Sequence, residues 1–181
     1  MAPARIQIRR AGSDDLPALS ALIQRAILVL QRGFLDARQI EASRAIMGLD
    51  TQLVEDQTYF IAEIEGVMAG CGGWSRRATL FGGNHATNRS SFLLNPATDP
   101  AYIRAMYTDP GYARRGIGRL ILASSEADAA RSGFTRTELA ATLAGEPLYR
   151  GCGYMLLERF NAGEGVPLLR MGKNLGVAPS S

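Results

Sequence analysis

At 181 residues, of which 46% are hydrophobic and 20% charged, residues 1–181 have the size and make-up of a single globular domain with a substantial core. No apolar run approaches the roughly 20 residues of a membrane-spanning helix, and Met1-Ala2-Pro3-Ala4-Arg5 leads into no signal-like apolar core, so the default expectation is a cytoplasmic protein off the membrane. The net charge of +3 is carried by scattered arginines without interleaved aromatics, which argues against nucleic acid and for a solvated surface favouring a polyanionic ligand, while Cys71, Cys152 and His85 have no metal-ligand or disulfide spacing, so no metal is expected.

Arg5 to Arg10 alternates apolar and polar residues and predicts a half-buried first strand. Ser13-Asp14-Asp15 offers a helix start, and Leu16, Leu19, Leu22, Ile23, Ala26, Ile27 and Leu30 recur at helical spacing up to Gly33. A second helical pattern runs through Ile40, Ala42, Ala45 and Ile46 and stops at Gly48. Thr58–Ile64 and Val67–Trp74 are rich in β-formers and flank Glu65-Gly66, which predicts an antiparallel hairpin. From Ser75 to Pro100 apolar residues come only in short groups, so this is a long connection of the kind that often forms lids or binding loops. Its Asn88-Arg89-Ser90 is a glycosylation sequon by chance and receives no role.

Tyr102–Tyr107 predicts a strand, followed by the turn Thr108-Asp109-Pro110-Gly111-Tyr112-Ala113-Arg114-Arg115-Gly116-Ile117-Gly118-Arg119 and a helix from Arg114 to about Arg131, ended by Gly133. Phe134–Ala141 is the next strand, Glu146–Arg150 a short helix with proline in its first turn, and Met155–Phe160 and Val166–Met171 a last pair of strands before a frayed tail over 176–181.

A strand entering a glycine-rich turn that opens a helix is a phosphate-binding arrangement, because the first helical N–H groups lack partners and the macrodipole adds positive potential there. The alternative is a tight turn and nothing more. A dinucleotide fingerprint fails, since Ile121 stands where its third glycine belongs, and a P-loop fails because the single lysine is Lys173. The segment resembles the pyrophosphate loop of the GNAT superfamily of acetyl-CoA-dependent N-acetyltransferases, usually Gln/Arg-x-x-Gly-x-Gly/Ala after a strand ending near Asp-Pro. One position departs from it: Ala113 stands where the family has Arg or Gln. The order of elements also resembles that family over nearly the whole chain, most weakly from 75 to 100.

The resemblance implies an α/β domain of the α+β type, with a mixed, mostly antiparallel, splayed sheet flanked by helices. It implies acetyl-CoA as co-substrate and a primary amine of a small molecule or peptide as acceptor, attacked directly without an acyl-enzyme. Cys152 is the nearby nucleophile that argues otherwise. Amides of Arg114, Arg115, Gly116, Ile117, Gly118 and Arg119 are expected to cradle the phosphates, and the backbone of Met106, Tyr107 and Thr108 to pair with the pantetheine arm, unless that strand is an ordinary central one. Leu148–Tyr154 is similar to the family's Phe-Tyr-x-x-x-Gly-Phe segment and assigns Tyr149 as general acid, a phenol being protonated at neutral pH; otherwise it is a packed tyrosine. Thr142 stands where the family often has a pantetheine-contacting Asn. Glu63 is the preferred general base, with an exposed strand carboxylate as the alternative, ahead of Glu138 and His85. Homodimers through the sheet are common in the family. A non-catalytic acyl-CoA-binding sensor on the same fold is the rival reading.

Overall fold

The computed structural model describes residues 5–176 apart from 85, 87 and 88, and one seven-stranded sheet organises it. The strands are β1 (Ile6–Arg10), β2 (Tyr59–Ile64), β3 (Val67–Ser75), β4 (Ala101–Thr108), β5 (Arg136–Ala141), β6 (Met155–Ala162) and β7 (Val166–Asn174). They lie in the order β1-β2-β3-β4-β5-β7-β6, and every neighbouring pair is antiparallel except β4 with β5. The expected mixed, mostly antiparallel sheet is present. The tail from 177, His85 and Asn88 lie outside the described residues.

Period-2 alternation in β2 divides the core. Phe60, Ala62 and Ile64 face one side, where α4 (Ile117–Arg131) brings Ile117, Ile121 and Leu122 down onto the sheet. Tyr59 and Ile61 face the other, against α1 (Leu16–Leu30), whose Leu19, Leu22, Ile23 and Ile27 are buried at helical spacing. Each such side chain contributes about 1.5–3 kcal/mol by leaving water. A Cβ at Gly70 of β3 would stand 2.6 Å from Ile117 Cγ2, so its absence lets α4 lie close to the sheet.

α2 (Ala37–Ile46) follows α1 and is closed by a capping box: Asp36 accepts the Gln39 N–H at 2.8 Å and Gln39 Oε1 accepts that of Asp36. The short α3 (Thr51–Glu55) escaped the sequence reading because five residues are too few to show a periodicity; its start is marked by Asp50, which accepts the Gln52 N–H. α5 (Glu146–Gly151) carries proline in its first turn, as expected. The segment between β3 and β4 has a single β-bridge, Arg77 with Leu93, among its described residues.

Candidate active site

β4 and β5 pair only at Ala101–Thr137 and Tyr102–Glu138, after which the two parallel strands separate. Just beyond that point the β3–β4 register shifts, and Ala105 takes a left-handed conformation with φ 51°. The extra residue makes a bulge that re-aims the end of β4. Tyr59 fastens it, donating its hydroxyl to the Ala105 carbonyl at 2.7 Å. The separated strands open a cleft of about 750 Å³. Met106, Tyr107 and Thr108 line it from β4, and Leu139, Ala140 and Thr142 line it from β5 and the turn that follows.

The glycine turn forms one rim. Asp109 accepts the Gly111 N–H at 2.9 Å and is held from α1 by Arg25 at 2.6 Å, which locks the entry to the turn. Arg114 (φ 63°) and Gly116 (φ 81°) both adopt left-handed backbone, a pattern that turns successive N–H groups toward one side. Unlike α2 and α3, α4 has no side-chain cap among the described residues. A Cβ at Gly116 would meet nothing within 4 Å, whereas one at Gly118 would stand 2.8 Å from Leu148 Cδ2. The two glycines thus differ in purpose: Gly116 permits the turn, and Gly118 lets α4 pack against α5. Arg114, Gly116, Ile117, Gly118 and Arg119 line the cleft; Arg115 does not, and stacks over the Tyr112 ring at 5.3 Å.

Tyr149 lines the cleft from α5, 8% exposed, its ring edge-on to Tyr154 at 5.8 Å. Burial drives its phenol well above the usual tyrosine range, so it stays a proton donor at neutral pH. Its hydroxyl makes no hydrogen bond among the described residues, while the Thr142 hydroxyl accepts the Gly145 N–H at 3.0 Å and so fixes the turn into α5.

Cys71, rather than Cys152, is the thiol on the cleft wall. Burial pushes it up to about 12, which keeps it protonated and a poor nucleophile. Glu63 does not reach the cleft: its carboxylate is held by Arg9 at 2.8 Å, and Arg9 also holds Asp15 at 2.8 Å. The period of β2 that suggested it gave the face of the strand and not the partner awaiting it there. Glu138 likewise pairs with Arg170 at 2.6 Å.

Sequence reasoning missed a buried ion group in the cleft wall. Arg104 donates to Asp50 at 2.9 Å, to the Thr79 carbonyl at 2.8 Å and to that of Gly82, and Asp50 also accepts from Arg89 at 2.9 Å. Burial lowers the Arg104 guanidinium from its ordinary value, and the Asp50 carboxylate opposes that shift. The group ties the 75–100 segment to β4 and α3. An arginine inside a predicted strand was its one signal.

Residues 24–154 match the model of the acetyltransferase (GNAT) family. The fold is similar to that of a GCN5-related N-acetyltransferase from Rhodopseudomonas palustris, with TM-score 0.71 and 18% identity over 96% of this chain and 98% of that one. It is also similar to the PaiA N-acetyltransferase from Thermoplasma acidophilum, solved in complex with coenzyme A (TM-score 0.65, 14% identity, 94% and 99% covered), and to an N-acetyltransferase from Staphylococcus aureus (0.64, 16%, 96% and 100%). At these identities the likeness is one of fold. No curated protein sequence matches the chain.

Proposed function

The chain belongs to the GNAT family of acetyltransferases, and from that premise we propose that it transfers the acetyl group of acetyl-CoA to a primary amine by direct attack. The observation that carries this reading is the divergence of β4 from β5 after Tyr102, which leaves the strand ends flanking a cleft whose rim is the uncapped start of α4. The co-substrate supplies a thioester carbonyl for the amine and a thiolate to leave. Free N–H groups at Ile117, Gly118 and Arg119, with the guanidinium groups of Arg114 and Arg119 beside them, suit its diphosphate. The backbone of Met106–Thr108, which lines the cleft without pairing with β5, suits an amide-bearing arm that lies along the strand edge.

In this reading Tyr149 delivers the proton to the leaving sulfur, since it combines burial on the cleft wall with a phenol that stays protonated. The buried Cys71 thiol is held neutral, which fits direct attack rather than an acyl-enzyme. No carboxylate or imidazole lines the cleft among the described residues, so the amine gives up its proton to solvent and reacts as the free base. Calorimetric titration with coenzyme A and thiol release from acetyl-CoA over an amine panel test the proposal. Binding with turnover supports it, and binding without turnover of any amine replaces it with a sensor.

A further inference from the structure

The apolar lining of the cleft includes Ile27, Leu30 and Phe34, Ile46 at the end of α2, Phe81 and Leu168. Phe81 is backed by the Phe160 ring at 5.6 Å. Among the described lining residues the charged ones are all arginines, Arg104, Arg114 and Arg119. An acceptor with several ammonium groups needs carboxylates to replace its lost hydration and meets none here. An apolar body with a single amine, by contrast, finds a wall that rewards its burial.

One polar group breaks that wall. Gln31, which follows the last turn of α1, lines the cleft and is 7% exposed, and its Oε1 is a buried side-chain oxygen with no hydrogen-bond partner among the described residues. Leaving such an oxygen unpaired is costly, and most buried polar groups avoid it. A half-turn of the amide exchanges its oxygen and nitrogen in nearly the same volume, so the oxygen can take either corner. The group also sits at the C-terminal end of a fifteen-residue helix with no basic residue in its last turn, where the backbone carbonyls give a negative pole that attracts an amine.

Building on the acetyl-transfer reading above, we infer that the acceptor is a small monoamine on an apolar or aromatic body, and that Gln31 Oε1 accepts its N–H and sets specificity. Polyamines and aminoglycosides are poor acceptors for such a cleft.

The test titrates the protein calorimetrically with coenzyme A, phenethylamine and spermidine in turn, and follows thiol release from acetyl-CoA with each amine. The expected kcat/KM for phenethylamine is at least ~100-fold above that for spermidine. Gln31→Met, matched in volume, is expected to weaken phenethylamine binding and raise its KM about tenfold with coenzyme A affinity unchanged. Phe34→Asp, at a half-exposed position that tolerates a polar side chain, shifts preference toward spermidine. Equal or better use of spermidine by the unaltered protein overturns the inference, as does an unchanged amine preference in both variants. Failure to bind coenzyme A overturns the acetyl-transfer reading itself. Binding with turnover of spermidine alone overturns only the acceptor assignment, as does turnover of other panel amines but of neither of these two, and binding with turnover of no amine in the panel overturns both.

Discussion

The Tyr59 hydroxyl on β2 reaches across β3 to the carbonyl of Ala105 on β4, at 2.7 Å, and so holds the one residue of β4 with left-handed backbone. Burial keeps that phenol far above its ordinary pKa and therefore always a donor. Tyr59→Phe removes the donor and leaves the carbonyl without it, at a cost of about 1–3 kcal/mol. The thermal midpoint is expected to fall by roughly 2–10 °C in calorimetry, and acetyl transfer to fall with it as the strand end loses its aim. An unchanged melt and rate would remove the bulge from the account.

Tyr149→Phe deletes a hydroxyl that makes no hydrogen bond within the described protein, so the fold and the affinity for coenzyme A should both survive. Turnover is expected to drop about 100-fold, the usual scale of a lost general acid. Calorimetric affinity and single-turnover rates measured on one preparation separate these effects. A full-speed variant would return Tyr149 to the status of a packing residue.

Gly116 and Gly118 should fail in different ways. Gly118→Val drives a side chain into the Leu148 terminal methyl and forces that side chain, which lines the cleft beside Tyr149, to turn; Leu148→Ala in the same chain makes room and restores much of the activity. Gly116→Val meets open space but forces φ 81° on a β-branched residue, at a cost of about 1–2 kcal/mol or more, and Leu148→Ala gives no relief. Coenzyme A affinity in the four variants reads the difference. Rescue of both glycine variants, or of neither, would contradict the separate purposes assigned to them.

What the sequence disclosed was whatever depends on local pattern. The hydrophobic period of Leu19 to Ile27 and the Glu65-Gly66 hairpin rest on neighbours in the chain and stand where they were expected, while the helix opened by the glycine turn starts at Ile117 rather than Arg114, because Arg114 and Gly116 adopt left-handed backbone. Tyr149 was legible because a short motif carried it to the cleft wall. The pairing of Glu63 was not legible, because its partner, Arg9, lies 54 residues away on β1, and nothing in the strand's period names a long-range ion pair. Asp50, Arg89 and Arg104 were hidden for the same reason, as was the bulge at Ala105, which arises from a register shift between strands far apart in sequence.

Acid should loosen the joint between β1, β3 and α4. Asp128 accepts from the buried Trp74 indole at 2.9 Å and from Arg10 at 2.8 Å. Burial alone would raise its pKa, but the hydrogen bonds from Arg10 and Trp74 outweigh it and leave the carboxyl below the ordinary aspartate value. In the window below about pH 4 the unfolded chain therefore binds a proton that the folded chain does not, so stability falls as pH falls through the folded value. Denaturant melts from pH 6 down to pH 3 should show that slope, and Asp128→Asn should flatten it while lowering stability at neutral pH. An identical slope in the variant would place the acid sensitivity elsewhere.

The proposed seat of the coenzyme A diphosphate is the set of backbone amides around residues 114–119. Backbone amide chemical shifts recorded during a titration with coenzyme A address it directly. Saturable shifts are expected, the largest at Gly116, Ile117, Gly118 and Arg119, with smaller ones along Met106–Thr108. Shifts centred on another part of the sheet, or none at saturating concentration, would contradict it.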